Sequence, residues 1–281
     1  MNRQAIRWLG TVPFFAYTAI FLLIPTGEII VQAFRNPSGR FTFANVRGLF
    51  DAQILDAFET TIKISLITAV LGGLLGLLVA QSALRQGGPL WIRPVLTTFA
   101  GVASNFAGIP LAFAFIATLG STGIVTQLLN SLGLHVYSHG FTIYGMVGLS
   151  LTYLYFQFPL MVLIISPALE GIRPQWREAA VNAGATSGQY WRLVGLPAIL
   201  PSLLGAMVLL FGNAFSAYAT PYALSSGYIN IVPVLIGEAV NGDLAANPQL
   251  GASLAFGMIV VIAAAIAVYA VLQRRAARWL R

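Results

Sequence analysis

The sequence predicts an all-α integral membrane protein with six transmembrane helices and both termini cytoplasmic. Three observations carry that prediction. Of 281 residues, 58% are hydrophobic and only 8% charged, against roughly 25% charged in soluble domains. Six stretches reach the ~20 apolar residues that a bilayer core requires. The basic residues gather on alternate connections, as the positive-inside rule demands.

The predicted spans lie near Val12–Phe34, Thr61–Leu84, Val95–Leu119, Ile143–Leu169, Ile199–Tyr222 and Leu250–Leu272. The first follows Arg3 and Arg7, as a signal peptide would. Its apolar run is too long for such a segment and no small-residue cleavage site follows, so it reads as a retained span. Eleven of the fifteen basic residues mark one side: Arg3 and Arg7, Arg85 and Arg93, Arg173, Arg177 and Arg192, and the four arginines of the tail. The other side carries Arg35, Arg40, Arg47 and Lys63. Six spans return the chain to its starting side, so both ends are placed in the cytoplasm. The net charge of +7 is thus an insertion signal. It forms no continuous basic stripe with stacking aromatics, which argues against a nucleic-acid partner.

The chain has no cysteine and two histidines, His135 and His139. Thiolate chemistry and cysteine-ligated metals are excluded. The histidines sit four apart in an outer loop without a third ligand nearby, a poor metal site. Gly72, Gly73 and Gly76 in the second span read as a helix-packing surface. Glu59 and Lys63 are one turn apart and suited to pair. The apolar run Ile229–Ile236, too short to span, reads as a half-buried outer flap.

One cytoplasmic connection is long, residues 170–197. Pro174 suits a helix start and Gly184 a helix stop, so a short helix is expected near 175–184. A turn at Ser187–Gly188 and an amphipathic piece, Gln189–Val194, should follow. Trp176, Tyr190 and Trp191 suit an interfacial helix on lipid. Ala179, Ala180, Ala183 and Gly184 equally suit close approach of a protein partner.

Glu178-Ala179-Ala180, three residues, Gly184, nine residues, then Val194-Gly195-Leu196-Pro197 resembles the EAA motif of binding-protein-dependent ABC importer membrane subunits. Val194 stands where that family usually has Ile. The resemblance implies a type I importer (MetI-like) transmembrane domain over residues 60–272, with the coupling loop at about 170–197. Residues 1–59 would be an N-terminal addition with the first span and an outer loop, and 273–281 a basic cytoplasmic tail. The opening segment and Phe156–Val162 look most like the PotB/PotH spermidine/putrescine class.

The resemblance implies that Glu178, Ala179, Ala180, Gly184, Leu196 and Pro197 couple the chain to a separate cytoplasmic ATPase dimer. It also implies an extracytoplasmic substrate-binding protein, a second permease subunit and a bacterial cytoplasmic membrane. The PotB/PotH likeness favours a paralogue as that second subunit over another copy of this chain. The sequence itself shows no Walker A loop: its single lysine, Lys63, lies in Thr-Ile-Lys-Ile-Ser. No cofactor is expected in this chain, with ATP and Mg on the partner, and no catalysis.

Polar groups within spans are costly and are the candidates for a substrate path. These are Asn105 in the third span, Tyr153, Tyr155 and Gln157 in the fourth, and Asn213, Ser216 and Tyr218 in the fifth; cross-helix packing is the alternative role for each. Pro110 and Pro159 are expected to kink their helices. No acid lies mid-span, so a polyamine would have to rely on tyrosine faces or carbonyls. A sugar, a phosphonate or another small polar solute remains an alternative, as does an ion-coupled secondary carrier, although that class usually carries an intramembrane charge.

Overall fold

The computed structural model describes residues 11–84, 89, 91–225, 228–241 and 247–277. Arg3, Arg7, Arg85, Arg278 and Arg281 lie outside the described residues. The regular structure among the described residues is helical, apart from one isolated bridge between Arg35 and Phe41. Packing divides the chain into two units, 1–57 with 235–261, and 58–234 with 262–281.

In the first unit, α1 (Val12–Ala33) is apolar on all sides and exposed along most of its length. A π-helical turn, Ala19–Leu23, sits just ahead of Pro25. Proline offers no N–H and its ring crowds the carbonyl four residues back, and the wider turn absorbs both effects. After α1 the chain reverses. Asn45 Nδ2 donates to the carbonyls of Ala33 and Arg35 at 3.3 and 2.8 Å, ahead of the short helix α2 (Ala44–Gly48). Phe34 gathers Phe41, Phe43 and Phe256 around it, with ring centroids 5.2–6.0 Å away.

In the second unit most of α3 (Ala52–Ala83) packs against α7 (Met146–Glu170) and α9 (Ser187–Phe215). Its glycines make this possible. A Cβ on Gly72 would lie 2.8 Å from Gln157 Cβ, one on Gly73 2.4 Å from Met207 Sδ, and one on Gly76 2.5 Å from both Met161 Cβ and the Phe158 carbonyl. The expected packing surface is therefore present, facing two helices at once. Two buried clusters result. Leu111, Ala112, Leu149, Tyr153, Phe156 and Leu224 belong to one. Ala100, Met161, Val162, Ile165, Leu203 and Leu210 belong to the other, nearer the 170–197 connection.

The third and fifth spans depart from expectation. The third is two helices, α4 (Ile92–Asn105) and α5 (Ile109–Leu119). Gly108 between them has φ +75°, a left-handed conformation that glycine adopts at little cost. Pro110 therefore starts a helix, where its missing N–H costs nothing, and kinks none. By length and hydropathy Ile109–Ser131 also qualifies as a span, but Gly120–Gly123 interrupts it before α6 (Ile124–Ser131). The crossing belongs to α4 and α5 in series: Ala100 of α4 joins the inner cluster, and Leu111 and Ala112 of α5 the outer one. At 1.5 Å per residue the two supply about 21 and about 16 Å, enough for a ~30 Å core.

The fifth span breaks at Ser216–Tyr218 and resumes as α10 (Ala219–Ser225). The fourth runs unbroken through Pro159 and Pro167. The flap forms α11 (Val232–Asn241), with Ile231, Val232 and Val234 buried and the Val232 N–H donating to Thr61 Oγ1 at 3.0 Å. The last span is α12 (Pro248–Ala277).

Candidate substrate path and coupling loop

The two helix breaks meet. The Gly108 N–H donates to Thr220 Oγ1 at 2.8 Å, and the Thr220 hydroxyl reaches back to the Gly108 carbonyl at 3.4 Å. Thr220 is 3% exposed. Beside this contact lies a cavity of about 270 Å³, lined by Ser104, Phe156, Asn213, Ser216 and Tyr218 and by the first residues of α10. Its polar groups are hydroxyls, an amide and backbone. No acidic or basic side chain lines it. Helix starts at Ile109 and Ala219 adjoin it, and helix starts carry partial positive charge.

Of the predicted path residues, Asn213, Ser216 and Tyr218 are brought together here. The Ser216 hydroxyl donates to the Gly212 carbonyl at 2.8 Å, and the Tyr218 and Tyr222 rings stack with centroids 5.3 Å apart. Asn105 and Tyr155 stand outside the cavity lining. Asn105 Nδ2 donates to the Gly101 carbonyl at 2.8 Å. The Tyr155 ring meets Phe106 and Phe115 edge-on. Tyr153 and Gln157 are 2% and 0% exposed and serve packing. Gln157 Nε2 donates to Thr68 Oγ1 at 3.0 Å, while its Oε1 has no partner. Thr220 and Ser104 also count among the polar residues of the spans in the sequence. What the sequence does not show is the pairing of Thr220 with Gly108, because threonine is unremarkable in a span until its partner is known.

The short helix expected near 175–184 forms as α8 (Pro174–Asn182), with no buried residue. Gly184 has φ +79°. The N–H groups of Gly184 and Ala185 return to the carbonyls of Val181 and Ala180, both at 2.9 Å, the Schellman ending of a helix. Glu178 and Ala179 are exposed and Ala180 half-buried. The turn expected at Ser187–Gly188 is instead the first turn of α9. Thr186 and Gln189 form a reciprocal capping box, a signal present in the sequence as Thr-x-x-Gln and not used. The amphipathic piece continues into the span through a π turn, Trp191–Gly195, which again precedes a proline, Pro197. Leu196 and Pro197 begin the stretch that runs to the break.

At the cytoplasmic end Arg93 pairs with Glu170 at 2.5 Å, tying the start of α4 to the end of α7. Lys63 pairs with Glu59, as their spacing implies. His139 Nδ1 contacts the His135 carbonyl at 2.8 Å within a 3-10 turn. The nearby Tyr137 hydroxyl donates to the Leu119 carbonyl at 2.7 Å, and burial pushes its phenol above the usual range.

No family model matches the chain. A probable sulfate transport system permease protein, cysT, of Nephroselmis olivacea is 26% identical over 84% of this chain and 80% of its own length. The sulfate transport system permease protein CysW of Synechococcus elongatus is 25% identical over 79% and 75%. A bacterial ABC transporter involved in import of the acidic polysaccharide alginate superposes with a TM-score of 0.75, covering 97% of this chain and 96% of its own, at 20% identity. The MetNI methionine ABC transporter superposes at 0.58, covering 81% and 99% at 15% identity. By sequence the chain is similar to transport-system permease proteins, and it has the fold of ABC importer membrane subunits.

The chain's finer likeness to the PotB/PotH class finds no support among these relatives, which are sulfate permeases. The reason is visible in the structure. The Phe156–Val162 stretch that suggested it contributes Phe156, Met161 and Val162 to the buried clusters, so its composition answers to helix packing. The opening segment forms a helix with no buried residue before Ala33, apolar as any lipid-facing helix would be.

Proposed function

We propose that the chain is an ABC importer permease subunit forming part of the path for a small tetrahedral oxyanion of the sulfate class. The observation that supports this is the cavity between the two helix breaks. It offers the Asn213 amide and the Tyr218 hydroxyl as donors beside two helix starts, and no carboxylate. The Ser104, Ser216 and Thr220 hydroxyls also line it but donate to the backbone carbonyls of Gly101, Gly212 and Gly108 in this state. Such a lining suits an anion that gives up water for neutral donors. It suits a polyamine poorly, because a multiply charged cation would find no counter-charge there. The sulfate permeases among the relatives point to the same class.

In this reading the ATP chemistry belongs to a separate ATPase dimer, and this chain holds no cofactor. The Glu178–Gly184 segment docks on that ATPase, and a second permease subunit, a paralogue in preference to a copy, completes the path. A binding protein delivers the solute at the outer face of the cytoplasmic membrane.

The test is uptake by the complete transporter in proteoliposomes, with ATP on the ATPase side and its binding protein opposite. Radiolabelled sulfate should accumulate, and unlabelled sulfate should compete while putrescine should not. Ser216→Val with Asn213→Leu should lower uptake while leaving assembly intact. Uptake of putrescine but not sulfate, or unchanged uptake by the double variant, would overturn this reading.

A further inference from the structure

A second cavity, about 520 Å³, lies at the cytoplasmic end of the helices behind α8. Its lining includes Gln81 and Ser82 of α3, Arg173 and Arg177 at the start of α8, and Ser187 and Trp191 of α9. The one acid in the lining, Glu170, is already neutralised by Arg93. Neither Arg173 nor Arg177 has an acidic partner within 4.0 Å among the described residues.

Two guanidinium groups therefore face one recess uncompensated. Their position makes this costly. Arg173 is the N-cap of α8, with extended backbone, and Arg177 follows four residues on, so both lie at a helix start, where basic groups oppose the helix dipole. The first turn contains no acidic residue, and no side chain caps it. The residues implied in ATPase docking, Glu178 and Ala179, are absent from the cavity lining, so docking leaves this charge unanswered.

We propose that this cavity binds a phosphate-type oxyanion, with Arg173 and Arg177 as its charged ligands and the Gln81 amide and the Ser187 hydroxyl as neutral donors. A guanidinium matches a tetrahedral oxyanion through paired N–H donors. The bound group neutralises the two arginines and fixes α8 against the ends of α3 and α9. The anion is supplied either by a lipid headgroup of the inner leaflet or by a soluble oxyanion. The site is separate from the mid-membrane cavity and stands whether or not sulfate is the transported solute.

The experiment uses the assembled transporter in nanodiscs of phosphatidylcholine alone or with phosphatidylglycerol added. Inorganic phosphate is titrated, and the signal is the Trp191 fluorescence, taken as the difference from a Trp191→Phe transporter. A saturable change is expected in neutral nanodiscs, absent with chloride at matched ionic strength. R173Q or R177Q should each weaken it at least about tenfold, the loss expected for one charge-assisted contact. If phosphatidylglycerol nanodiscs already show the shifted signal and phosphate adds nothing, the headgroup is the source. If phosphate titrates alike in both lipids, the soluble anion is. The proposal is overturned if neither phosphate nor phosphatidylglycerol gives such a signal, if chloride reproduces it, or if it persists in the R173Q/R177Q double variant. Loss of the ATPase from the double variant during purification would overturn it as well, by assigning the arginines to docking.

Discussion

Thr220 and Gly108, 112 residues apart in sequence, hold each other in both directions at the level where two helices break. Thr220→Val keeps the shape and removes the only hydroxyl in that contact. The Gly108 N–H, part-buried there, is then left without its partner, a loss of about 1–3 kcal/mol. Gly108→Ala tests the same joint from the other side. The new Cβ would meet only Ala219 Cβ, at an ordinary 3.6 Å, so its cost is backbone strain at φ +75° and ψ −149°, a region open essentially to glycine alone, about 1–3 kcal/mol. Thermal unfolding in detergent should show both losses, and sulfate uptake should fall in both variants.

The glycines of α3 separate two kinds of close approach. On Gly76 an added Cβ meets the Phe158 carbonyl and Met161 Cβ, neither able to swing away. On Gly73 it meets the far end of Met207, a flexible side chain. Gly76→Ala should therefore lower stability by about 1–3 kcal/mol, and Gly73→Ala by clearly less. Equal midpoints in thermal unfolding for the two variants would contradict this.

Glu178 is exposed on α8 and contributes nothing to the packing of the isolated subunit. Glu178→Arg should leave expression and the unfolding midpoint unchanged while abolishing uptake and ATPase co-purification. Gly184→Ala should act differently, straining the helix ending at φ +79° by about 1 kcal/mol with a partial loss of uptake. Pull-down with the partner ATPase separates the two effects.

Arg93 and Glu170 are both partly exposed, at 56% and 37%, so their pair is worth under about 1 kcal/mol to stability. Its consequence should appear in coupling instead. Arg93→Glu should raise ATP hydrolysed per solute imported, and adding Glu170→Arg should restore the ratio. A double variant no better than the single one would remove the pair from the mechanism.

How far the sequence could be read follows from the physics of each element. Spans were legible because lipid demands uninterrupted apolar length, and the start and stop of α8 because Pro174 and Gly184 act locally. The two π turns were also open to reading, each lying just before a proline, Pro25 and Pro197. The capping box at Thr186–Gln189 was legible and overlooked in favour of a Ser-Gly turn. The breaks in the third and fifth spans were not accessible in the same way. Gly108 and Ser216 look like ordinary small residues of membrane helices, and only the contact with Thr220 shows why the chain opens there. The path residues divided for a related reason. Tyr153 and Gln157 share their composition with Asn213 and Ser216, but α7 is central in the unit and turns both of them into protein.

The continuity of α9 has a mechanical meaning. From its cap at Thr186 to the opening at Ser216 it is one rod of 29 residues, about 44 Å long. The place where a cytoplasmic motor would push and the place where a solute would wait are the two tips of a single rigid strut. Its compliant points are the π turn at Trp191–Gly195, set close to the driven end, and the interior Pro201 near its middle. In the reading proposed above, displacement entering at the cytoplasmic tip would pass these two joints before it reaches the opening at the bilayer centre.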